Sequence, residues 1–337
     1  MNIGFIVDAS NKIGFGHWSR CLNLSKILQN RKNYFISRNY PNSYKKYKGI
    51  NLIKMKKGKF NIEEIKNKIR KFNITALIID NYKFNYQLQK KIKNYVFKLV
   101  VIDDYFNKKY FSDILLNYSF LDNNEKVILK KNNPKIKFAL GPKYLPLNNK
   151  FFELKKNLKP RKKLKKILVF FGGADKKNLT EKMLMVANYF KELKFSFILG
   201  DLYSRKKKVT KKIKQYKNIK LFYGIKNEQM ANLIANNDLA IGAGGVNLYE
   251  RIYLGLPSIV IDVDNNQLIN IKKSKNRNLI IHLKNQNLTI DKVVNTIVLF
   301  MKNESKFKKI SMNCFSCLKA DQKYHLKKLL NFQGRRN

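Results

Sequence analysis

One histidine follows a glycine-rich turn near the start of the chain and is a candidate general base. Gly14 and Gly16 come shortly after Ile3–Val7, an apolar run that predicts the first strand, and His17 then opens the predicted first helix. The glycines let the backbone turn tightly and approach a ligand closely. The helix dipole disfavours imidazolium at that position, and a neutral imidazole accepts a proton near neutral pH. A capping or packed histidine is the alternative interpretation, and Ser19 in place of a third glycine makes the turn a weak dinucleotide fingerprint.

Two glycine pairs in the second half of the chain are candidate anion sites. Gly172 and Gly173 follow the first apolar run of that half, Gly244 and Gly245 follow a later one, and each pair opens a predicted helix. Backbone N–H groups at such a helix start suit a pyrophosphate. Glu250 lies inside the second of these helices, where its carboxylate would accept hydrogen bonds from ribose hydroxyls. A turn that binds nothing is the alternative for either pair alone, but the two pairs and the acid together predict a nucleotide site.

The segments between these turns predict the fold that must position them. Short apolar runs alternate with segments whose apolar residues recur at helical spacing. Nearly continuous apolar strands between helices are typical of a parallel sheet covered on both faces. The alternation stops between Leu145 and Lys166, in a lysine-rich stretch that contains Pro160, and then restarts. We therefore predict two doubly wound Rossmann-type domains with a cleft between them and the strand-end loops facing that cleft.

The net charge of +49, from 71 Lys and Arg against 22 Asp and Glu, suggests nucleic acid or an anionic surface as a partner. Only ten of these 71 basic residues are arginine, and the lysines run along the whole chain together with many Asn, Ile and Tyr residues. A protein that reads nucleic acid more often concentrates arginine in a motif. We therefore interpret the charge as compositional drift, and a basic nucleic-acid-binding protein remains an alternative.

Length, apolar content and cysteine content indicate the class of protein. The 337 residues are more than one core usually accommodates, and 44% hydrophobic residues are enough to build two cores. No run approaches the roughly 20 apolar residues that cross a bilayer, so we expect no membrane span, and from the short strand-like first segment we expect no signal peptide. Cys314, Cys317 and His325 would give zinc three ligands where a structural site takes four, so buried small residues on a helix are the preferred interpretation. We expect a cytoplasmic, monomeric protein that needs no metal or cofactor.

A series of motifs, each at an expected strand end, resembles one enzyme family. The series begins with Ile-Gly-Phe-Gly-His-x-x-Arg at 13–20, Asp-Asn-Tyr at 80–82, Ile-Asp-Asp at 102–104, Asp-Ile-Leu-Leu-Asn at 113–117 and Leu-Gly-Pro-Lys-Tyr at 140–144. Phe-Gly-Gly-Ala-Asp at 171–175, the segment 244–250 and Asp-Asn-Asn-Gln at 264–267 follow. Over residues 1–270 this order is similar to that of the UDP-2,4-diacetamido-2,4,6-trideoxy-β-L-altropyranose hydrolases of pseudaminic acid biosynthesis. The resemblance implies a GT-B fold.

The resemblance also implies a role for each matched residue. His17 would activate the water that attacks the anomeric carbon of the sugar. The substrate would contact residues from both halves of the chain: Gly14, Gly16, Tyr82, Asn266 and Gln267. The nucleotide would bind a second set: Gly172, Gly173, Gly244, Gly245 and Glu250. If His17 is not the base, Asp8 and Asp80 are the next candidates, because they lie at neighbouring predicted strand ends.

We therefore predict a UDP-sugar hydrolase that releases UDP and a free 2,4-diacetamido-2,4,6-trideoxy hexose without a metal. A GT-B glycosyltransferase that uses His17 to deprotonate a sugar hydroxyl is the alternative. The predicted organisation is a Rossmann-like domain over 1–148 with the base and the sugar side, a linker over 149–165, a UDP-binding Rossmann-like domain over 166–304, and C-terminal helices over 305–337 that pack partly on the first domain. The expected partner is the UDP-sugar, with no specific nucleic acid and no membrane span.

Overall fold

Both halves of the chain form a parallel sheet with helices connecting the strands. The computed structural model describes residues 2–10, 15–28, 31–41, 49–318 and 321–330. The chain divides into unit 1, Met1–Pro146 with Asp321–Asn337, and unit 2, Leu147–Ala320. This division falls inside the stretch where the alternation of strands and helices stops in the sequence.

The strands of unit 1 order its candidate site. They are β1 Asn2–Val7, β2 Asn33–Ser37, β3 Ile50–Lys54, β4 Ile74–Asp80, β5 Lys98–Ile102, β6 Ile114–Asn117 and β7 Lys137–Leu140, and the helices are α1 Gly16–Ile27, α2 Ile62–Lys71, α3 Tyr86–Lys93 and α4 Asn123–Asn132. Over the described residues the seven strands are parallel, in the order β3-β2-β1-β4-β5-β6-β7. The order reverses between β1 and β4, where Val7 lies beside Asp80. Ligands of doubly wound sheets bind at the carboxyl ends of the strands at such a switch point.

The central strands and one face of α2 build a core for unit 1. Leu77 and Ile79 of β4 and Leu99 of β5 are buried in one cluster with Ile65 and Ile69 of α2. The two isoleucines of α2 are four residues apart and therefore share one face of the helix. Burial of this apolar surface holds β4 in the sheet and fixes the position of the strand end that follows it.

Unit 2 repeats the arrangement. Its strands are β8 Lys166–Phe170, β9 Lys194–Leu199, β10 Ile219–Tyr223, β11 Leu239–Gly242, β12 Ser258–Ile261 and β13 Ile281–Leu283; its helices are α5 Asn149–Asn157, α6 Leu179–Tyr189, α7 Lys206–Ile213, α8 Asn227–Ala235, α9 Val246–Tyr253, α10 Leu268–Asn276, α11 Ile290–Lys302 and α12 Glu304–Cys317. In the described part of the chain these six strands are parallel, in the order β10-β9-β8-β11-β12-β13. The order reverses between β8 and β11, where Phe170 lies beside Gly242.

The segment 149–165, which we predicted to be a linker, instead belongs to unit 2 and begins with the helix α5. Asn148 caps α5 by accepting a hydrogen bond from the Lys150 amide at 2.9 Å. Phe151 is fully buried, and the Lys155 ammonium donates to two backbone carbonyls of unit 2 at 2.7 Å each. The sequence does not reveal that this segment is packed against unit 2, because a lysine can be buried: its long aliphatic stem covers apolar surface while its ammonium donates to polar groups.

The rest of that segment is held by a buried arginine. Arg161 donates from Nη2 to the Ile234 carbonyl at 3.0 Å and from Nη1 to the Leu254 carbonyl, and these carbonyls lie at the ends of α8 and α9. Carbonyls in the last turn of a helix lack partners within the helix, so one guanidinium satisfies two helix ends. Burial lowers the pKa of Arg161 to about 10.

The C-terminal helices divide between the two units. α12 packs against α9 and α11 of unit 2, whereas α13, Gln322–Leu329, belongs to unit 1 and packs against α1 and the turn Pro142–Tyr144. Leu326 of α13 is fully buried, and the ring of His325 lies edge-on to that of Tyr144 at 5.8 Å between centroids. No helix in the described residues combines the length and apolar character that crossing a membrane requires.

Candidate functional site

The base candidate of unit 1 lies at the switch point of its sheet. His17 is the second residue of α1, the helix that follows β1, and Asp80 is the last residue of β4, the strand beside β1. His17 Nδ1 lies 2.6 Å from Asp80 Oδ1. Sixty-three residues separate the pair in the sequence, and the parallel pairing of β1 with β4 brings them together.

Asp80 is a buried carboxylate that remains ionised. Burial alone would raise the pKa of its carboxyl, but the guanidinium of Arg20 and the imidazole of His17 outweigh burial and hold the pKa well below its usual range. An ionised Asp80 only accepts hydrogen bonds, so His17 Nδ1 donates to it, and in the neutral imidazole the lone pair then lies on Nε2. Nε2 has no hydrogen-bond partner among the residues that the structure describes. A histidine oriented in this way is suited to take a proton.

Arg20 fixes the carboxylate from the same helix. It donates from Nε to Asp80 Oδ2 and from Nη2 to Asp80 Oδ1, and its Nη1 contacts the Tyr118 hydroxyl. Burial would lower the pKa of Arg20, but the attraction of Asp80 keeps the pKa well above its usual range. His17 Nδ1 and Arg20 Nη2, 2.8 Å apart, both face Asp80 Oδ1. A two-point ion pair of this kind fixes the carboxylate and, through it, the imidazole.

Tyr82 forms one wall beside the imidazole. Its ring lies edge-on to that of His17 with 4.8 Å between centroids, and its hydroxyl donates to Asp104 Oδ2 at 2.7 Å. Burial and the negative charge of Asp104 raise the pKa of Tyr82 far above its usual value, so the phenol stays protonated. The structure thus brings two predicted site residues, His17 and Tyr82, into contact.

Asp8 lies at the next strand end and is fully engaged elsewhere. Its oxygens accept from Arg38 Nε at 3.1 Å, from the backbone amides of Arg38 and Asn39 at 2.9 and 3.0 Å, and from Asn81 Nδ2 at 2.9 Å. These contacts tie the segment after β2 to the ends of β1 and β4. With its lone pairs occupied, Asp8 is poorly placed to accept a substrate proton.

In unit 2, the helix start at α6 is occupied by the protein itself. Asp175 Oδ1 accepts from the Leu179 amide at 3.0 Å and Asp175 Oδ2 from the Thr180 amide at 2.8 Å. Burial raises the pKa of Asp175. Gly172, which has φ +90°, and Gly173 form the turn before this aspartate. The amides that we predicted to meet a phosphate therefore already hold a carboxylate.

The start of α9 differs because no side chain caps it. Gln267 Oε1 accepts from the Gly244 amide at 3.0 Å, and the amides of Val246 and Asn247 have no acceptor among the described residues. Asn247 Nδ2 donates to Glu250 Oε2 at 2.7 Å. Free N–H groups at a helix start attract anions.

Glu250 is a buried acid beside that helix start. Burial raises the pKa of its carboxyl, against the smaller effects of the hydrogen bond from Asn247 and the charge of Arg251. Arg251 is itself buried, which lowers its pKa to about 10, and it donates from Nη2 to the Ala243 carbonyl. A buried acid with a raised pKa next to unoccupied amides is a feature of binding sites.

The other predicted site residues are distributed as follows. Gly16 is the first residue of α1, and Gly245 precedes α9. Gln267 contacts the glycine turn before α9, as described above. Asn266 belongs to the short turn Asn265–Gln267, but its side chain lies outside the described part of the structure, as does Gly14 altogether.

Sequence reasoning missed the partners that orient these residues. It gave no role to Arg20, although the spacing of three residues from His17 puts both on one face of a helix. It gave Asp104 no contact with Tyr82, because that contact depends on the order of β4 and β5 in the sheet. It also missed that Asp175 precedes α6 by four residues, a local capping signal that the glycines before it obscured.

The cysteine motif does not form a metal site within the described residues, where no group of three or more metal-binding side chains occurs. Cys314 is buried on α12 and lies 3.0 Å from the Leu279 carbonyl. His325 lies on α13, with Nε2 3.1 Å from Asp321 Oδ2. His282, the middle residue of β13, lies with Nε2 2.8 Å from Asp262 Oδ1.

Comparison with known proteins defines the fold class. Residues 166–330 match the model of the glycosyltransferase family 28 C-terminal domain. The crystal structure of UDP-GlcNAc 2-epimerase from Neisseria meningitidis, bound to UDP-GlcNAc, is similar with a TM-score of 0.66 over 98% of this chain and 100% of that chain, at 10% identity. The chain is an α/β protein with two Rossmann-like domains of the GT-B class, which confirms the predicted fold class.

Two relatives are similar in sequence along most of the chain. The uncharacterized protein MJ1062 of Methanocaldococcus jannaschii is 30% identical over 277 residues, which are 77% of this chain and 55% of that protein. The spore coat polysaccharide biosynthesis protein SpsG of Bacillus subtilis is 28% identical over 273 residues, which are 77% of each chain. The chain thus spans about half the length of the first relative and about three quarters of the second.

Proposed function

We propose that the chain is an enzyme that uses a UDP-sugar and transfers the sugar from UDP to the hydroxyl of an acceptor. The His17–Asp80 pair at the switch point of unit 1 carries the proposal, because it leaves one imidazole nitrogen without a hydrogen-bond partner in the described part of the chain and orients the ring by a buried carboxylate. The match to a glycosyltransferase family domain supports transfer. The name of SpsG supports a role in polysaccharide biosynthesis, and the UDP-GlcNAc bound to the similar epimerase supports a UDP-sugar as substrate.

In this proposal His17 is the general base. Nε2 removes the proton from the attacking hydroxyl as the bond between oxygen and the anomeric carbon forms, and the sugar–phosphate bond breaks to release UDP. Asp80 stabilises the imidazolium that results and holds Nδ1 in the donating form. A positioned base of this kind contributes about 10²–10⁴-fold to such a step.

Unit 2 is proposed to hold the nucleotide. The diphosphate would meet the amides of Val246 and Asn247 at the start of α9, and Glu250 would accept from the ribose hydroxyls. The start of α6 is a poorer anion site than the sequence predicted, because Asp175 already uses the Leu179 and Thr180 amides there. The proposal therefore assigns the phosphates to the start of α9, after Gly244 and Gly245, rather than to the start of α6, after Gly172 and Gly173.

Hydrolysis is the second candidate function. The series of motifs over residues 1–270 supports it, because that series resembles a family of UDP-sugar hydrolases. The same His17–Asp80 pair would then activate water, with a 2,4-diacetamido-2,4,6-trideoxy hexose as the sugar.

A release assay separates the two functions. The full chain is incubated with a panel of UDP-sugars, first alone and then with sugar acceptors, and UDP and sugar products are identified by mass spectrometry. Transfer predicts a glycosylated acceptor and little UDP without one, whereas hydrolysis predicts UDP and free sugar in the absence of any acceptor. If no member of the panel is turned over under either condition while UDP also fails to bind, the proposal of a UDP-sugar enzyme is wrong.

A further inference from the structure

Asp104 differs from the other strand-end carboxylates of unit 1 in having an unused oxygen. Its Oδ2 accepts from the Tyr82 hydroxyl at 2.7 Å and lies 3.5 Å from Arg20 Nη1. Its Oδ1 is buried and has no hydrogen-bond partner within the described ranges. Leaving a buried acceptor unpaired costs free energy, and nearly all such atoms in native proteins are paired with protein, water or a ligand.

The oxygens of the neighbouring carboxylates already have partners within the protein. Both oxygens of Asp80 accept from α1, and both oxygens of Asp8 accept from the segment after β2. Asp103 Oδ1 accepts from the Tyr105 amide at 3.1 Å, and Asp103 Oδ2 lies 3.4 Å from the Lys108 ammonium. Asp104 is thus the one of these four acids with an oxygen left for a ligand.

Asp104 also has the weakest ion pairing of the carboxylates near His17. Arg20 pairs closely with Asp80 through two nitrogens and reaches Asp104 only at 3.5 Å, and Lys108 pairs with Asp103. Two cations thus face three carboxylates, and the longest of these ion pairs is that of Asp104. A weakly paired carboxylate accepts well from O–H and N–H donors, and it also favours the positive charge that develops at an anomeric carbon.

We propose that Asp104 is a sugar-binding residue: Oδ1 accepts a hydrogen bond from an O–H or N–H group on the sugar ring while Oδ2 holds Tyr82. The inference rests on the proposed function and names the residue that recognises the sugar. Tyr82 links the two roles, because it donates to Asp104 and its ring contacts that of His17. A sugar bound at Asp104 is therefore held near the base.

Calorimetry on the full chain tests this inference without requiring turnover. The ratio of the Kd for UDP to the Kd for UDP-GlcNAc or UDP-glucose measures what the sugar adds to binding. We expect Asp104→Asn and Asp104→Ala to lower this ratio about tenfold or more, the usual loss for a charge-assisted hydrogen bond, with the Kd for UDP unchanged. Asp103→Asn is the matched control and should leave the ratio as in the wild type. A larger loss with UDP-GlcNAc would identify the amide N–H as the donor, a larger loss with UDP-glucose the C2 hydroxyl, and equal losses a hydroxyl that both sugars carry.

Three results would overturn the inference. One is an Asp104 variant that folds and keeps the wild-type ratio. Another is a Tyr82→Phe variant that loses as much as Asp104→Asn, with no further loss in the double variant, because Asp104 would then act only by holding Tyr82. The third is a wild type that binds UDP but gains nothing from any sugar of the panel. A wild type that does not bind UDP at all would instead refute the proposed function, and this inference with it.

Discussion

Asp80 and Asp8 lie at the ends of neighbouring strands, and both are buried and paired with an arginine, but only Asp80 contacts a histidine. Asp80 is bound by Arg20 and His17, which both come from α1. Asp8 is bound by the side chain and amide of Arg38 and so holds a loop in place. Burial and a charged partner are therefore shared by a structural acid and a candidate catalytic one.

Asp8 and Asp80 differ in the groups on which their hydrogen-bond contacts end. The contacts of Asp8 end on groups that are themselves satisfied, such as the Arg38 guanidinium, whose Nη1 donates to the Gly58 carbonyl at 2.7 Å. The contacts of Asp80 end on an imidazole whose Nε2 is unpaired within the described residues. A perturbed acid indicates a reactive site only when its partner leaves an atom open to substrate.

The largest expected effect is that of His17→Asn. Asparagine keeps a polar side chain next to Asp80 but cannot take a proton, so turnover should fall by about 10²–10⁴-fold while the Kd for UDP stays nearly constant. Initial rates and UDP affinity by calorimetry measure both.

His282→Asn is the control for that substitution. His282 lies 2.8 Å from Asp262 and so also belongs to a His–Asp pair, but one in unit 2. It should keep the wild-type rate. Equal losses in the two variants, or a His17→Asn enzyme that keeps most of its turnover, would rule out His17 as the base.

Asp80→Asn and Asp8→Asn should both destabilise the fold, but only the first should damage the chemistry. Each leaves a buried guanidinium without its counter-charge, which costs about 3–5 kcal/mol in the free energy of unfolding. Asp80→Asn should also lower turnover to an extent comparable to His17→Asn, because the imidazole loses the partner that fixes its tautomer. Denaturant titration and the rate per folded molecule separate the two effects.

The pH dependence of folding stability gives a second test of the Asp80 ion pair. Because its folded-state pKa lies well below its ordinary value, its stabilising effect is present above the ordinary Asp pKa of about 3.9 and is lost as the pH falls below that value. The wild type should therefore lose stability relative to Asp80→Asn on acidification. A constant difference between the two across that range would contradict the ion pair.

Glu250→Gln should weaken the binding of UDP by about 1–3 kcal/mol, through the loss of charge-assisted hydrogen bonds to the ribose. The exposed Glu192→Gln is the matched control and should bind UDP as the wild type does. Unchanged UDP affinity in Glu250→Gln would refute the ribose assignment.

The stability of the protein without UDP gives a further test of Glu250. Because burial raises the pKa of Glu250, its protonated form stabilises the fold below the ordinary Glu pKa, and this contribution is lost as the pH rises through the folded-state pKa. Glu250→Gln should lack that loss of stability, which denaturant titration against pH measures.

The sequence predicted the fold because its signals are local. The apolar runs that became β4 and β5, and the glycine turns at their expected places, needed no knowledge of the sheet order. The helix α5 was missed because its lysines conceal an apolar stripe. We predicted that the C-terminal helices pack partly on the first domain, but the sequence does not show which of them does so, because the partners of α13, α1 and the turn Pro142–Tyr144, are far away in the chain.

The candidate site was predictable in part for the same reason. His17 lies in a recognisable local setting and was predicted as the base, and Asp80 was named only as an alternative base, because the hydrogen bond between them follows from β1 pairing with β4. The unpaired oxygen of Asp104 has no signature in the sequence, since it depends on what Tyr82, Arg20 and Lys108 do in three dimensions.

The smallest expected effect concerns Asp175, a third acid, whose role is structural because it caps α6. Asp175→Ala removes the acceptor for two amides at the start of α6 and should cost about 1 kcal/mol in the free energy of unfolding. Asp175→Asn should lose less stability, because asparagine also caps helices and carries no buried charge.

The pH dependence of stability separates the two residues further. Burial raises the pKa of Asp175, so its contribution to folding stability is fully present below the ordinary Asp pKa and falls as the pH rises. The asparagine variant should lack this pH dependence. UDP affinity should stay the same in both variants, because the phosphates are assigned to the start of α9. If Asp175→Ala instead bound UDP distinctly more tightly, the emptied α6 amides would be taking a phosphate, and the assignment to α9 alone would be wrong.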